Sequence, residues 1–378
     1  MIQPRTAAKT RQASSLWTAG KIRRFRKRLL DWYGRHRRTL PWRSNPTPYR
    51  VWIAEIMLQQ TRVRAALPYY KRFMKRFPNI AALAASSETD IMEHWAGLGY
   101  YQRARNLHRA ARQMMDRFGG RFPSDLEQIR RLPGIGPYTA GAIFSIAFHQ
   151  PEPVVDGNVR RVMLRLHDIA KAPERFFWKE AEGWLDRKNP SGFNQAMMEL
   201  GALVCLPSRP LCSSCPVRIF CATGLLGKAP GSPNPKFRAV EQVEMVLLVL
   251  TCKGKIALVR QASEGFVPGD WGLPLQIVRG EKPPRNTADE LARRLMLCVP
   301  SLCECPAVTH GITFRRIRAH VYRGEVQTPV AAAAGRELFV WTPETEIGRL
   351  LTSSLFRKGL VAAQVLPREE SSTRIRTR

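Results

Sequence analysis

Acidic residues are scarce in this chain: 30 Asp plus Glu stand against 61 Lys plus Arg, a formal net charge of +31 over 378 residues. A surplus of that size fits a polyanionic partner, because each phosphate neutralised by Lys or Arg releases a condensed counterion. The competing reading is a soluble protein with a basic surface. Long apolar runs are also missing. The longest, such as Val246-Leu247-Leu248-Val249-Leu250, fall far short of a membrane span, and no amphipathic or lipid anchor supports an acidic membrane as the partner. Residues 1–21 lack an apolar stretch of signal-peptide type. They are basic, with no acid before Asp31, a composition shared with organellar transit peptides; a disordered basic arm over residues 1–20 is the expectation. A disulfide framework is absent too. Of eight cysteines, four crowd into residues 205–221, which is metal-site usage and implies a reducing compartment, cytoplasmic in a bacterium and nuclear or mitochondrial in a eukaryote. There is no internal repeat.

The length suggests two domains, and 44% hydrophobic residues are enough to build their cores. From about residue 21 to 222 the pattern is helical, with no convincing strand alternation. Residues 49–73, 88–118 and 193–204 repeat apolar side chains at three- and four-residue steps. Residues 223–240, rich in Gly, Pro, Ser and Lys, read as a linker. Beyond it, residues 243–251, 256–260 and 338–341 read as strands and 287–298 as a helix, so residues 241–366 form an α+β domain ahead of a basic tail, 367–378. The expected fold is multidomain, all-α and then α+β.

Four groups of residues carry chemistry. Cys205, Cys212, Cys215 and Cys221 are separated by six, two and five residues, with turn-forming Pro207, Pro210 and Pro216 among them. Four thiolates so spaced suit zinc or an iron–sulfur cluster, although zinc usually pairs two Cys-x-x-Cys knuckles and only one is present. In Leu132-Pro133-Gly134-Ile135-Gly136-Pro137-Tyr138 two glycines precede a helical run. They let backbone N–H groups approach a phosphate at a helix N-terminus. Glu55 lies on a helix beside Val51, Trp52, Leu58 and Gln59. An apolar face would raise its pKa toward that of a general acid; a glutamate that only hydrogen-bonds a neighbouring helix fits the spacing equally well. Asp156, ahead of Gly157-Asn158 and a helical run, is by local chemistry a helix N-cap.

Together these strings resemble the helix-hairpin-helix DNA glycosylases of the endonuclease III branch, nearly continuously over residues 25–221, and within that branch the MutY-type adenine glycosylases. The resemblance implies a structural 4Fe–4S cluster on the four cysteines, in a loop whose Arg209 and Arg218 face DNA. It implies that Glu55 protonates the purine, that Asp156 stabilises the sugar cation and that Asn158 orients the site. Trp42, Arg43, Leu58 and Glu199 would contact the base, Gly134 and Gly136 a phosphate, and Gln59, Gln60 and Tyr100 the stack left by a flipped base. Where bifunctional relatives carry a lysine that cleaves the strand through a Schiff base, this chain has Tyr138. A monofunctional enzyme is therefore expected, leaving an abasic site.

Residues 241–366 resemble, more weakly, the Nudix-related C-terminal domain of MutY. Only Glu281, Asp289 and Glu290 stand near residue 280–298, without the glutamate cluster that a working Nudix hydrolase needs. The lesion-reading loop of the family aligns with His310-Gly311-Ile312-Thr313-Phe314. Thr313 keeps a hydroxyl for an oxidised purine, and Phe314 replaces the family histidine. The expected function is hydrolysis of the N-glycosidic bond of adenine opposite 8-oxoguanine or guanine in double-stranded DNA, by a monomer. The rivals are a relative acting on another base, such as thymine opposite guanine, and a silent DNA-binding iron–sulfur protein.

Overall fold

A computed structural model describes residues 17–225, 240–260, 271–295, 299–312, 315–327, 339–351 and 353–367. The helices are α1 (Ala19–His36), α2 (Pro41–Ser44), α3 (Pro48–Leu58), α4 (Val63–Arg76), α5 (Ile80–Ala85), α6 (Glu88–Trp95), α7 (Gln102–Phe118), α8 (Leu126–Arg130), α9 (Pro137–Ala147), α10 (Gly157–His167), α11 (Glu174–Trp184), α12 (Pro190–Leu203), α13 (Ala222–Leu225), α14 (Pro284–Arg294), α15 (Ile347–Leu350) and α16 (Ser354–Ala362). The strands are β1 (Glu241–Cys252), β2 (Lys255–Arg260), β3 (Trp271–Gly272), β4 (Leu275–Ile277), β5 (Leu302–Ile312), β6 (Arg315–Glu325) and β7 (Phe339–Pro343). The chain groups into two compact units, Met1–Gln60 with Gln113–Pro235, and Thr61–Arg112 with Lys236–Arg378.

In the first unit the helix starts follow capping chemistry. Thr18 Oγ1 accepts from Lys21 N–H, Thr47 Oγ1 from Arg50 N–H and Asn189 Oδ1 from Gly192 N–H, with Pro48 and Pro190 in the opening turn where no N–H is needed. The core joins α1, α10, α11 and α12 through aromatic rings. Trp17 lies 4.6 Å from Trp184 and 5.2 Å from Phe25 between ring centroids, and Phe25 lies 5.8 Å from Phe220. Trp17 is buried, so residues 17–20 belong to the folded unit and not to the expected arm. Residues 1–16 lie outside the described residues, as do linker residues 226–239, tail residues 368–378, and Thr313 and Phe314.

Two of the three periodic segments are not single helices. Residues 49–73 split into α3 and α4 at Gln59–Arg62, and residues 88–118 split into α6 and α7 at residues 96–101. Gln60, Gly97, Gly99 and Tyr100 have φ of +56°, +93°, +75° and +52° at these breaks. A left-handed backbone there ends the helical hydrogen-bond ladder although the apolar spacing continues across it. The third segment, residues 193–204, corresponds to α12.

The C-terminal part of the second unit is α+β. Its sheet runs β3-β2-β1-β6-β5, with β4 also on β1 and β7 also on β2, and with β1 and β6 parallel. Lys253 and Gly254, at φ of +47° and +72°, join β1 to β2 as a tight hairpin. β1 is buried on both faces. Met245, Leu247 and Val249 pack with Leu355, Phe356 and Leu360 of α16, and Val246, Leu248 and Leu250 pack with Ala288 and Leu291 of α14. A strand covered on both sides reads as a continuous apolar run.

Candidate active site and cysteine loop

Helix α3 is buried on nearly every face and carries Glu55 into the interior, where it is 5% exposed. Tyr138 enters from the first turn of α9, and its hydroxyl donates to Glu55 Oε2 at 2.5 Å. Burial pushes the Glu55 carboxyl up to about 7; the Tyr138 hydrogen bond works against this, the charge of Asp156 adds to it, and that of Arg43 opposes it. Burial, then the charges of Glu55 and Asp156, lift Tyr138 well above the usual phenol range. The tyrosine therefore stays a donor when Glu55 is ionised.

Asp156 caps α10. Its Oδ1 accepts from Val159 N–H at 2.6 Å and its Oδ2 from Asn158 Nδ2 at 2.8 Å. Burial raises this carboxyl above the usual range, and the Val159 and Asn158 donors hold it back. The capping role is thus real, and it also fixes both oxygens in orientation. Asn158 Oδ1 in turn accepts from Arg161 Nη2 at 2.8 Å. Gly201 of α12 faces this point: a Cβ there would stand 2.5 Å from Asn158 Cβ, so only glycine lets α12 approach α10 so closely.

Arg43 and Glu199 do not present loose polar edges. Glu199, 1% exposed, receives Arg43 at 3.0 and 2.9 Å and Arg38 at 2.9 and 2.7 Å, with the Arg38 backbone N–H at 3.0 Å. Burial alone would raise the Glu199 carboxyl; the Arg38 and Arg43 hydrogen bonds outweigh it and bring it down to about 2. Arg38 was not singled out in the sequence, because beside Arg37 it reads as surface charge. Trp42 on α2 is buried and Leu58 at the end of α3 is half-buried. Gln59 Nε2 reaches Thr139 Oγ1 at 3.5 Å, and Gln60 is exposed. In the second unit Tyr100 is 43% exposed.

The α8–α9 hairpin is present. Gly134 has φ of +79°, which the turn requires, whereas Gly136 is extended and caps α9 without a side chain. Nothing lies within 4 Å of a Cβ built on Gly136, which leaves the N-terminus of α9 open.

The four cysteines follow α12 in a loop with short turns at Cys212–Ser214 and Arg218–Phe220. Arg165 of α10, 4% exposed, holds this loop: Nη1 donates to Cys205 Sγ at 3.2 Å and to the Leu206 carbonyl at 2.7 Å, and Nη2 donates to the Pro207 carbonyl at 2.7 Å. Gly224 N–H donates to Cys221 Sγ at 3.4 Å. Burial pushes the Cys215 thiol up to about 12, the Val217 backbone hydrogen bond opposes this, and the charges of Cys205, Cys221 and Cys212 add to it. Among the described residues no three His, Cys, Asp or Glu side chains are arranged to hold a metal ion as they stand. The loop carries the four cysteines, and N–H donors reach the sulfurs of two of them, Cys205 and Cys221, as suits thiolates. Arg209 and Arg218 are exposed. Among the described residues no helix is long and apolar enough to cross a membrane.

Residues 53–185 match the profile of the HhH-GPD superfamily base excision DNA repair proteins. The adenine DNA glycosylase of Mus musculus is 44% identical over 230 residues, a match covering 56% of this chain and 45% of that protein. That of Buchnera aphidicola subsp. Baizongia pistaciae is 40% identical over 248 residues, covering 64% of this chain and 71% of that protein. That of Arabidopsis thaliana is 37% identical over 325 residues, covering 74% of this chain and 50% of that protein. The chain therefore spans less than half the length of its mouse relative. Among solved structures, a thermostable thymine-DNA glycosylase is 27% identical with a TM-score of 0.52, covering 55% of this chain and 98% of that one. Endonuclease III in a non-covalent complex with DNA is 24% identical with a TM-score of 0.50, covering 56% and 98%, a likeness of fold.

Proposed function

We propose that this chain, which belongs to the adenine DNA glycosylase family, hydrolyses the N-glycosidic bond of adenine mispaired with 8-oxoguanine or guanine in double-stranded DNA. The observation that carries the proposal is Glu55: a buried carboxyl poised at about 7 and hydrogen-bonded by Tyr138. A carboxyl at that poise is half protonated near neutrality, as a general acid to a departing purine must be. Glu55 gives its proton to the leaving base, and Asp156, whose ionised form the Val159 and Asn158 donors favour against burial, faces the positive charge that develops on the sugar. Water then attacks. Tyr138 has no amine to form a Schiff base, so the product is an intact strand with an abasic site.

The flipped adenine stacks on Trp42 and Leu58, beside Arg43, whose guanidinium Glu199 holds in place. The open N-terminus of α9, with Gly134 and Gly136, takes a DNA phosphate, and Gln59, Gln60 and Tyr100 occupy the stack from which the base leaves. The protein works as a monomer of a helical domain, residues 21–222, and a Nudix-like domain, residues 241–366, whose Thr313 reads the oxidised base. Cys205, Cys212, Cys215 and Cys221 hold one 4Fe–4S cluster, which braces the loop carrying Arg209 and Arg218 and takes no part in base release. Thiolates of this kind persist in a reducing compartment.

A single-turnover assay tests the reading on three duplexes, with adenine opposite 8-oxoguanine, adenine opposite guanine, and thymine opposite guanine. Release of adenine from the first two is expected. Release of thymine alone would assign the chain to another substrate, and no release from any would make it a silent DNA-binding protein.

A further inference from the structure

Arg103 of α7 is an arginine only 9% exposed, and burial brings its guanidinium down from the usual arginine range to about 10. Its guanidinium centre lies 5.3 Å from the ring centroid of Trp95 and 5.3 Å from that of Tyr100. Nη2 donates to the Gly99 carbonyl at 3.1 Å and to Thr61 Oγ1 at 3.5 Å. The same Gly99 carbonyl accepts from Trp95 Nε1 at 3.0 Å, and the Arg103 backbone N–H donates to the Tyr100 carbonyl at 2.9 Å. The contacts to Gly99 and Tyr100 fall within residues 97–100, where three of four residues have positive φ. Glycine adopts such a backbone without cost. Tyrosine does so only where its surroundings over-determine the conformation, and Tyr100 is nevertheless 43% exposed. An exposed aromatic on a strained backbone, fixed from its buried side, is a side chain held ready before its partner arrives.

We propose that Arg103 is the positioning residue of the intercalating wedge: its guanidinium, set against the rings of Trp95 and Tyr100 and bonded to Gly99 and Thr61, holds Tyr100 in the conformation that enters the DNA stack. This rests on the reading of Tyr100 as the wedge. Arginine suits the task because its plane stacks on aromatic faces while its edge donates in a fixed fork; a lysine ammonium keeps the charge but not the fork. A side chain ordered in advance also loses less rotamer freedom on insertion.

The test is a double-mutant cycle on the full chain with Tyr100→Ala, Arg103→Met and the double variant. It reads single-turnover release of adenine opposite 8-oxoguanine, and the fluorescence of a duplex with 2-aminopurine in place of that adenine, which rises as the base leaves the stack. Arg103→Met is expected to slow release and weaken the fluorescence rise roughly tenfold, by a factor close to that of Tyr100→Ala. The double variant is expected to be no slower than the slower single one, since Arg103 acts through Tyr100. Arg103→Lys should recover part of the loss, and it is the variant read if Arg103→Met does not fold by thermal melting. A slow Tyr100→Ala beside an Arg103→Met, or in its place an Arg103→Lys, as fast as the parent would overturn the proposal and leave the wedge standing. Losses that multiply in the double variant would also overturn it, by showing that Arg103 acts elsewhere. An unimpaired Tyr100→Ala would remove the wedge itself, and the role of Arg103 with it.

Discussion

The hydroxyl of Tyr138 donates to Glu55 Oε2 at 2.5 Å, joining the first turn of α9 to the buried face of α3. The phenol, lifted well above its usual range by burial and by the charges around it, does not give its proton up to the Glu55 carboxylate. It steadies Glu55 in both protonation states, and four expectations about this centre and the cysteine loop can be measured, with a fifth for the C-terminal domain.

Glu55→Gln keeps the shape and the Tyr138 hydrogen bond but has no acidic proton. Base release should fall roughly a hundred- to ten-thousandfold, with duplex affinity nearly unchanged because phosphate contacts dominate it. In the parent, release should slow as pH rises through about 7, the poise of Glu55. Stability should move the same way. The folded carboxyl binds its proton more tightly than the unfolded one, so the fold weakens as pH climbs from the ordinary glutamate range through about 7. Glu55→Gln should lack that slope. A flat rate profile across this window would remove Glu55 from the acid role.

Asp156 combines a cap with a charge, and substitution separates them. Asparagine caps a helix about as well as aspartate, so Asp156→Asn should unfold within about 0.5 kcal/mol of the parent, whereas Asp156→Ala should lose about 1 kcal/mol. Both should lose base release by roughly a hundredfold or more, because both lack the anion facing the sugar cation. Denaturant melts and single-turnover rates on the same preparations distinguish the roles. Normal release in Asp156→Asn would leave only the cap.

The product follows from Tyr138. The parent should yield strands that break only after alkali, and borohydride should trap no covalent complex. Tyr138→Lys puts an amine into the site and should gain strand cleavage and a borohydride-trapped adduct. Efficient scission by the parent, seen on a denaturing gel, would require another lysine as nucleophile.

The cysteine loop should bind about four irons per chain with broad visible absorbance, as a cubane on four thiolates does. Metal analysis after anaerobic purification checks this. Zinc in place of iron would replace the cluster assignment.

Thr313 is the one side chain of Ile312-Thr313-Phe314 able to accept from the N7–H that 8-oxoguanine has and guanine lacks. Thr313→Val should shrink the preference for adenine opposite 8-oxoguanine by roughly 1–3 kcal/mol in the ratio of release rates. Removing residues 241–366 should hurt that substrate more than adenine opposite guanine. An unchanged ratio in Thr313→Val would move lesion reading to the helical part.

Some of this protein was legible from residue order, because the signals concerned are local. The Asp156 cap, the Gly134 turn and the opening of α9 at Pro137 depend on groups within a few residues of each other. So does the apolar run of β1, whose two buried faces leave nothing to alternate. Other elements were not legible. β5 is a largely exposed edge strand with little apolar signal, and the alternation of Ile317, Ala319 and Val321 along β6 is short. Nor did periodicity show that α3 and α6 stop where they do, since Gln60 and Tyr100 turn left-handed while the apolar spacing runs on.

The amino-acid sequence by itself determined which side chains could do chemistry: two carboxylates, a tyrosine in place of a lysine, and four cysteines at a fixed rhythm. Tertiary structure decided what each experiences. Glu55 is poised at about 7 because packing removes it from water beside Tyr138, 83 positions away, and Glu199 is held near 2 because Arg38 and Arg43 arrive from 161 and 156 positions away. Burial and charge act through space, and the distances that set them exist only once the chain has folded.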